Sequence, residues 1–292
     1  MINRRDVILG LFILAVFALC VISVILVLVS SAVNGIHVSE KSVAVIEITG
    51  AIISPTSAVE RLERYITNDN IPAIVVRLNT PGGGISATQE IYETVKKARA
   101  TGKKVIASMG SVAASGGYYI AAACDTIIAT PGTITGSIGV IATFPDFSDL
   151  YQKIGINFNV VKSGKFKDTG SSARKMTDEE KAQIDSIILD SHDQFMQSVS
   201  QGRNLKLDFV KTIADGRVFT GRQAVENGLV DLLGTYQDAI DLAGILAGIG
   251  KNPPVYKETQ NLFWEMVIHG TANFFSRGLA LNFPRILYML SY

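Results

Sequence analysis

Ser115 stands in Ser111-Val112-Ala113-Ala114-Ser115-Gly116-Gly117-Tyr118-Tyr119, a run of small residues between two apolar stretches. A serine so placed can sit at the mouth of a helix, its hydroxyl presented while the N–H groups that follow point at whatever it attacks. Asn79-Thr80-Pro81-Gly82-Gly83-Gly84 is a second glycine cluster, again directly after an apolar stretch. Two glycine turns after two strands suit an oxyanion site, because backbone without a Cβ lets a carbonyl approach closely. The chemistry suggested is attack on an acyl group. Plainer roles compete at each position: a helix cap for Ser115, a tight turn for Gly82–Gly84, core packing for Tyr118 and Tyr119.

A serine hydroxyl needs a base to take its proton. The three histidines do not offer one in a suitable setting: His37 borders the first apolar run, His192 lies in a helical pattern and His269 in an apolar tail. Cys124, with no histidine near it, reads as a small core residue. Lysine is the alternative, and Lys162-Ser163-Gly164-Lys165-Phe166-Lys167-Asp168 follows an expected strand at Phe158–Val161. Lowering an amine from about 10.4 to about 7 corresponds to about 4.6 kcal/mol. Burial lowers lysines by up to about 3–5 pKa units, so a desolvated amine is within physical reach. The residues by themselves leave Lys162, Lys165 and Lys167 equivalent.

The elements that must position these groups alternate between strand and helix. Strands are expected at Val43–Ile48, Ala73–Leu78, Lys104–Met109, Thr126–Ala129 and Phe158–Val161. Capping-box spacing opens helices between or after them: Ser57 with Glu60, Ser86 with Gln89, Thr177 with Glu180 and Thr220 with Gln223. Ile184, Ile187, Ile188, Phe195 and Val199 form a one-sided stripe on the helix after Thr177. Such alternation implies right-handed crossovers and a largely parallel sheet.

Around this body, residues 42–257, lie two apolar ends. Val7–Val33 is an uncharged run, roughly 40 Å long as a helix at about 1.5 Å per residue, enough to cross a bilayer. Arg4 and Arg5 precede it, which places residues 1–6 in the cytoplasm and the body outside. Residues 34–41 make a tether, and residues 258–292 an apolar tail broken by Gly270, Gly278 and Pro284. That tail is expected to pack on the body, on a sister subunit or along the membrane; its end, Asn282–Tyr292, could lie extended in a peptide groove. A net charge of +1 gives no basic face for nucleic acid.

The segments Ser108-Met109-Gly110-Ser111 through Tyr119, Thr135-Gly136-Ser137-Ile138-Gly139-Val140, Lys162-Ser163-Gly164 with Lys167-Asp168, and Ala214-Asp215-Gly216-Arg217-Val218-Phe219-Thr220-Gly221 resemble bacterial signal peptide peptidase A in its short form. The resemblance implies an α/β fold of the ClpP/crotonase spiral type behind one transmembrane helix. It implies Ser115 as nucleophile, Lys167 as general base and Ser137 as the hydroxyl that orients the lysine. Gly83 and Gly116 would supply the oxyanion N–H groups. Lys165-Phe166 departs from the family's pattern, and Phe166 at that place is expected to help dry the amine. It further implies a cell-membrane peptidase acting outside the cytoplasm on remnant signal peptides and other unfolded or membrane-released peptides. Its subunits would form a homo-oligomeric ring, and it would need no cofactor or metal. A crotonase-like acyl-CoA enzyme would share the fold and the glycines without needing Ser115, and a silent membrane scaffold would keep only the ring.

Overall fold

The parallel sheet is built from segments apolar on both faces. In the computed structural model, which describes residues 14–22, 24, 38, 40–258 and 287–289, Ala73, Ile74, Val75 and Val76 are all fully buried. Consecutive burial of this kind marks a strand covered on both sides. The chain divides into two units, Met1–Ser39 and Glu40–Tyr292. In the first, residues 14–22 and 24 are helical and exposed, and the remainder of the expected Val7–Val33 span lies outside the described residues. Among the described residues no helix is long and apolar enough to cross a membrane.

The second unit holds a mixed α/β fold. Strands β1 (Val43–Thr49), β2 (Ala73–Thr80) and β4 (Lys104–Ala114) pair in parallel, in the order β1, β2, β4. The long β4 serves two partners on its other edge. Its first half, Ile106–Ser108, pairs with β5 (Thr126–Ala129); its second half, Val112–Ala114, pairs with β6 (Ile134–Gly136). Strand β6 in turn pairs antiparallel with β7 (Val218–Thr220), and β5 pairs in parallel with β8 (Leu232–Leu233). At the far edge β9 (Val255–Lys257) pairs in parallel with β1. The sheet is therefore largely parallel, as the alternation requires.

Helices α1 (Thr56–Ile66), α2 (Ile85–Ala100) and α3 (Gly116–Ala121) link the central strands, and α4 (Ser148–Lys153) follows β6. The long α5 (Asp178–Arg203) is succeeded by α6 (Leu207–Ile213), α7 (Gly221–Glu226) and α8 (Tyr236–Leu246). Val43, Val45, Val75, Ile106 and Ile128 pack with Ala239, Ile240 and Ala243 of α8 as one core cluster.

Thr177 and Thr220 make complete capping boxes with Glu180 and Gln223. The other two expected boxes do not form. Pro55 already has helical dihedrals, so α1 begins at Thr56 and Ser57 falls inside its first turn. Helix α2 leaves the glycine strand directly, with Gly84 in the cap position and no side-chain cap. A box at Thr235 and Asp238, not anticipated, opens α8. The strand expected at Phe158–Val161 is likewise absent: these residues are irregular and exposed, Val161 fully so. Their β propensity finds no partner edge among the described residues, and a lone extended segment has no ladder to join.

Candidate active site

Ser115 occupies the joint between β4 and α3. Ala114 is the last residue of β4 to pair with β6, opposite Gly136. The Ser115 N–H donates to the Gly136 carbonyl at 2.8 Å, and its own carbonyl accepts from Tyr119 N–H at 2.8 Å. The residue is thus fixed on the strand side and on the helix side at once, with φ 52° and ψ −114°. A serine at positive φ carries steric strain, which persists only where the surroundings impose it. The Ser115 side chain makes no cap bond, although the residue sits at the N-cap position. The capping role is therefore not what holds a serine here. A strained strand-to-helix turn carrying a buried serine whose side chain makes no cap bond has the backbone geometry of a nucleophile elbow.

Ser137, at φ 50°, lies directly after Gly136, the residue that receives the Ser115 N–H. Its own N–H donates to the Arg217 carbonyl at 2.8 Å, and the residue is buried. Ser115 and Ser137 therefore leave the same final rung of the β4–β6 ladder, both in left-handed backbone.

The two glycine clusters meet. A Cβ on Gly116 would lie 3.2 Å from the Gly83 nitrogen, 3.2 Å from the Gly82 Cα and 2.8 Å from Thr88 Oγ1. A Cβ on Gly83 would collide with the Ile52 backbone. Only glycine permits this approach of one backbone to another. The strand β3 (Gly82–Gly84) is started by Thr80, whose Oγ1 accepts the Gly82 N–H at 3.0 Å. It is then held from one side by Ile52: Ile52 N–H donates to Gly82 O at 2.9 Å, and Gly84 N–H donates to Ile52 O at 2.8 Å. Because backbone groups alternate along a strand, the N–H and C=O of Gly83 face the opposite side. There β10 (Leu287–Met289) pairs antiparallel with β3, Tyr288 opposite Gly83. An extended segment of the tail end, Leu287–Met289, thus occupies this edge; the rest of the Asn282–Tyr292 stretch expected to lie in a groove falls outside the described residues.

Lys167 lies in a run of turns, its N–H donating to the Gly164 carbonyl at 3.2 Å, and its side chain is exposed. Within one chain the expected drying of this amine does not occur. Phe166 does not provide it either: the residue is 43% exposed, and its ring carries the Lys165 ammonium 5.6 Å from its centroid. The rival lysines are engaged elsewhere, Lys162 donating to Asp168 at 2.6 Å and Lys165 paired with Glu179. Lys167 has no ion pair among the described residues. The structure thus gathers Ser115, Ser137, Gly83 and Gly116, and leaves Lys167 on an exposed loop with no hydrogen bond to either serine.

The bland readings of the neighbours stand. Tyr118 is buried and donates to the Leu229 carbonyl at 3.0 Å, and Tyr119 is buried against Phe195. Burial pushes the Cys124 thiol well above its ordinary range, which suits a core residue and not a nucleophile. Two site features were not anticipated. Thr80, whose hydroxyl starts β3, had a legible signal in its place two residues before Gly82, the spacing of a side-chain turn. Arg174, which ties the lysine loop to α5, had none.

A strained serine at a strand-to-helix joint, glycine backbones converging on it and a mostly parallel sheet behind define a serine peptidase of the ClpP-like class. Residues 46–134 match the Clp protease family and residues 97–250 match peptidase family S49. A Synechocystis sp. protein, "Putative protease slr0021", is 46% identical over 212 residues, covering 72% of this chain and 76% of that one. "Putative signal peptide peptidase SppA" of Enterococcus faecium is 39% identical over 181 residues, 62% of this chain and 53% of its own. "Protease 4" of Haemophilus influenzae is 35% identical over 213 residues, 69% of this chain and 34% of its own. The chain thus spans about half or less of the last two. It belongs to peptidase family S49, the signal peptide peptidase A family of serine peptidases.

Proposed function

We propose that this chain is a membrane-tethered serine endopeptidase that cuts remnant signal peptides and other unfolded or membrane-released peptides through a Ser115/Lys167 dyad. The observation that carries the reading is Ser115 itself, held at positive φ with its hydroxyl uncapped beside the converging Gly83 and Gly116 backbones. Attack by its Oγ would develop negative charge on the scissile carbonyl oxygen, which the N–H groups of those two glycines would receive. The name of the Enterococcus relative supports the substrate class. The β3 edge, already paired with an extended segment, supports a substrate bound as an added strand.

Lys167 is the base in this reading because Lys162 and Lys165 are neutralised by carboxylates and it is not. Its exposure in one chain favours a version in which a neighbouring subunit closes over the loop or brings its own lysine to Ser115. A ridge of exposed apolar residues (Phe147, Leu150, Ile154, Phe158, Val161 and Phe166) supplies a surface for such a neighbour in a ring. Ser137 would orient the amine. The Val7–Val33 run would anchor residues 42–257 outside the cytoplasmic membrane, behind the cytoplasmic residues 1–6 and the 34–41 tether.

The test is labelling by a fluorophosphonate probe together with peptide turnover. Wild type is expected to take up the label and Ser115→Ala to take up none. Lys167→Ala should keep its fold and lose at least a hundredfold in turnover. Normal turnover by Lys167→Ala, alongside loss in Lys162→Ala or Lys165→Ala, would move the base to another lysine.

A further inference from the structure

Asp168 follows Lys167 directly in sequence, so a carboxylate is carried one residue from the side chain whose amine the dyad needs uncharged. A carboxylate within about 4–6 Å of a lysine favours the ammonium form and would disable it as a base. Both oxygens of Asp168 are engaged by other cations. Arg174 donates from Nε to Oδ2 at 2.9 Å and from Nη2 to Oδ1 at 2.8 Å, and Lys162 donates to Oδ1 at 2.6 Å.

The guanidinium is itself held from behind. Its Nη1 donates to Glu180 Oε2 at 2.8 Å and its Nη2 to Oε1 at 2.5 Å. Glu180 is 2% exposed and sits in the first turn of α5, where it also accepts the Thr177 N–H at 2.9 Å. A capped helix thus fixes a carboxylate, that carboxylate fixes Arg174, and Arg174 fixes Asp168. The charged groups facing Asp168 are Lys162 and Arg174, with Glu180 across the guanidinium, while Lys165 is occupied by Glu179. The hydrogen bonds of Arg174, then those of Lys162, hold the Asp168 carboxyl far below the usual carboxylate range.

We propose that Arg174 is a positioning residue that sequesters Asp168 from Lys167 and so leaves the amine able to shed its proton. The proposal rests on the Ser115/Lys167 reading and adds to it the group that keeps the base usable. It is tested on the full chain by pH–rate profiles of peptide cleavage. Arg174→Gln removes two of the three side-chain hydrogen bonds on the Asp168 carboxylate and leaves Oδ2 free, with Lys162 still on Oδ1, and the acid limb of kcat is expected to move up by about one pH unit. Arg174→Gln combined with Asp168→Asn should return the limb to its wild-type position, a rescue that a merely structural role would not give.

An unmoved limb in folded Arg174→Gln overturns the proposal, as does a moved limb that the double variant fails to restore. If Arg174→Gln does not fold, Arg174→Lys, which keeps the charge but cannot fork onto both carboxylates, should move the limb in the same direction by less. No movement in folded Arg174→Lys is then the overturning result. Lys167→Ala in parallel separates the two readings: full turnover there removes the dyad itself, whatever Arg174 does.

Discussion

At the scale of single residues, strain and contact make separate predictions. Ser115 is held at φ 52° and ψ −114°, a region costing a residue with a Cβ about 1–3 kcal/mol. Ser115→Gly and Ser115→Ala should both be inactive, yet the glycine variant should be the more stable by about 1 kcal/mol in denaturant titration. Equal stabilities would mean that the strain is not present in solution. Gly116→Ala places a methyl 3.2 Å from the Gly83 nitrogen and 2.8 Å from Thr88 Oγ1. It is expected to cost at least tenfold in kcat, by shifting the paired N–H groups, while KM changes little. The strained serine and the meeting glycines were legible because close backbone approach admits so few residue types. The lysine was not, since loop lysines look alike until their partners are known. Lys162 and Lys165 are set apart from Lys167 only by the carboxylates that the fold brings to them.

At the scale of elements, the caps divide along the same line. Thr177 follows irregular chain and Thr220 ends β7, and both keep extended dihedrals at the cap position, so a local box could form as written. Ser57 and Ser86 follow a helical proline and a strand glycine that start their helices early. Thr177→Ala should therefore cost about 1 kcal/mol, and Ser57→Ala almost nothing, by thermal unfolding. The Thr177 end also carries an acid sensitivity. Hydrogen bonds from Arg174 first, then from Thr177 N–H, lower the Glu180 carboxyl to about 2, and Asp168 is lowered as well. Carboxyls depressed on folding contribute stability above their unfolded values near 4, and lose it as pH falls through their folded ones. Tm should be level above about pH 5 and fall toward pH 2, less steeply in Glu180→Gln. The glycine edge makes a further prediction: removing residues 282–292 vacates the position opposite Gly83 and should speed cleavage of short peptides. An unchanged rate would show that β10 does not obstruct the groove. The missing strand at Phe158–Val161 shows the converse, since its apolar pattern records a need for cover that the described residues do not meet.

At the scale of the whole molecule, that cover and the exposed Lys167 belong together. If the base crosses between subunits, then Ser115→Ala and Lys167→Ala chains, each inactive alone, should regain turnover when co-assembled. No regain would confine each dyad to one chain. Leu150→Lys and Ile154→Lys, placed on the apolar ridge, should lower particle mass in sedimentation and lower turnover in step. The layer order and the parallel pairing were visible from strand–helix alternation, whereas the split edge of β4 was not, because one continuous strand with two successive neighbours leaves no mark in hydropathy.

That split edge has a consequence for engineering. Ile106 and Met109 lie in the buried interior on the same strand that delivers Ala114 to its last rung and Ser115 to its joint. Side chains alternate across a strand, so a slip of one residue would turn its interior positions outward and carry the hydroxyl off its bearing. The aim of the Ser115 side chain is therefore a property of the interior, and repacking far from the substrate can detune this enzyme without touching any group that meets it.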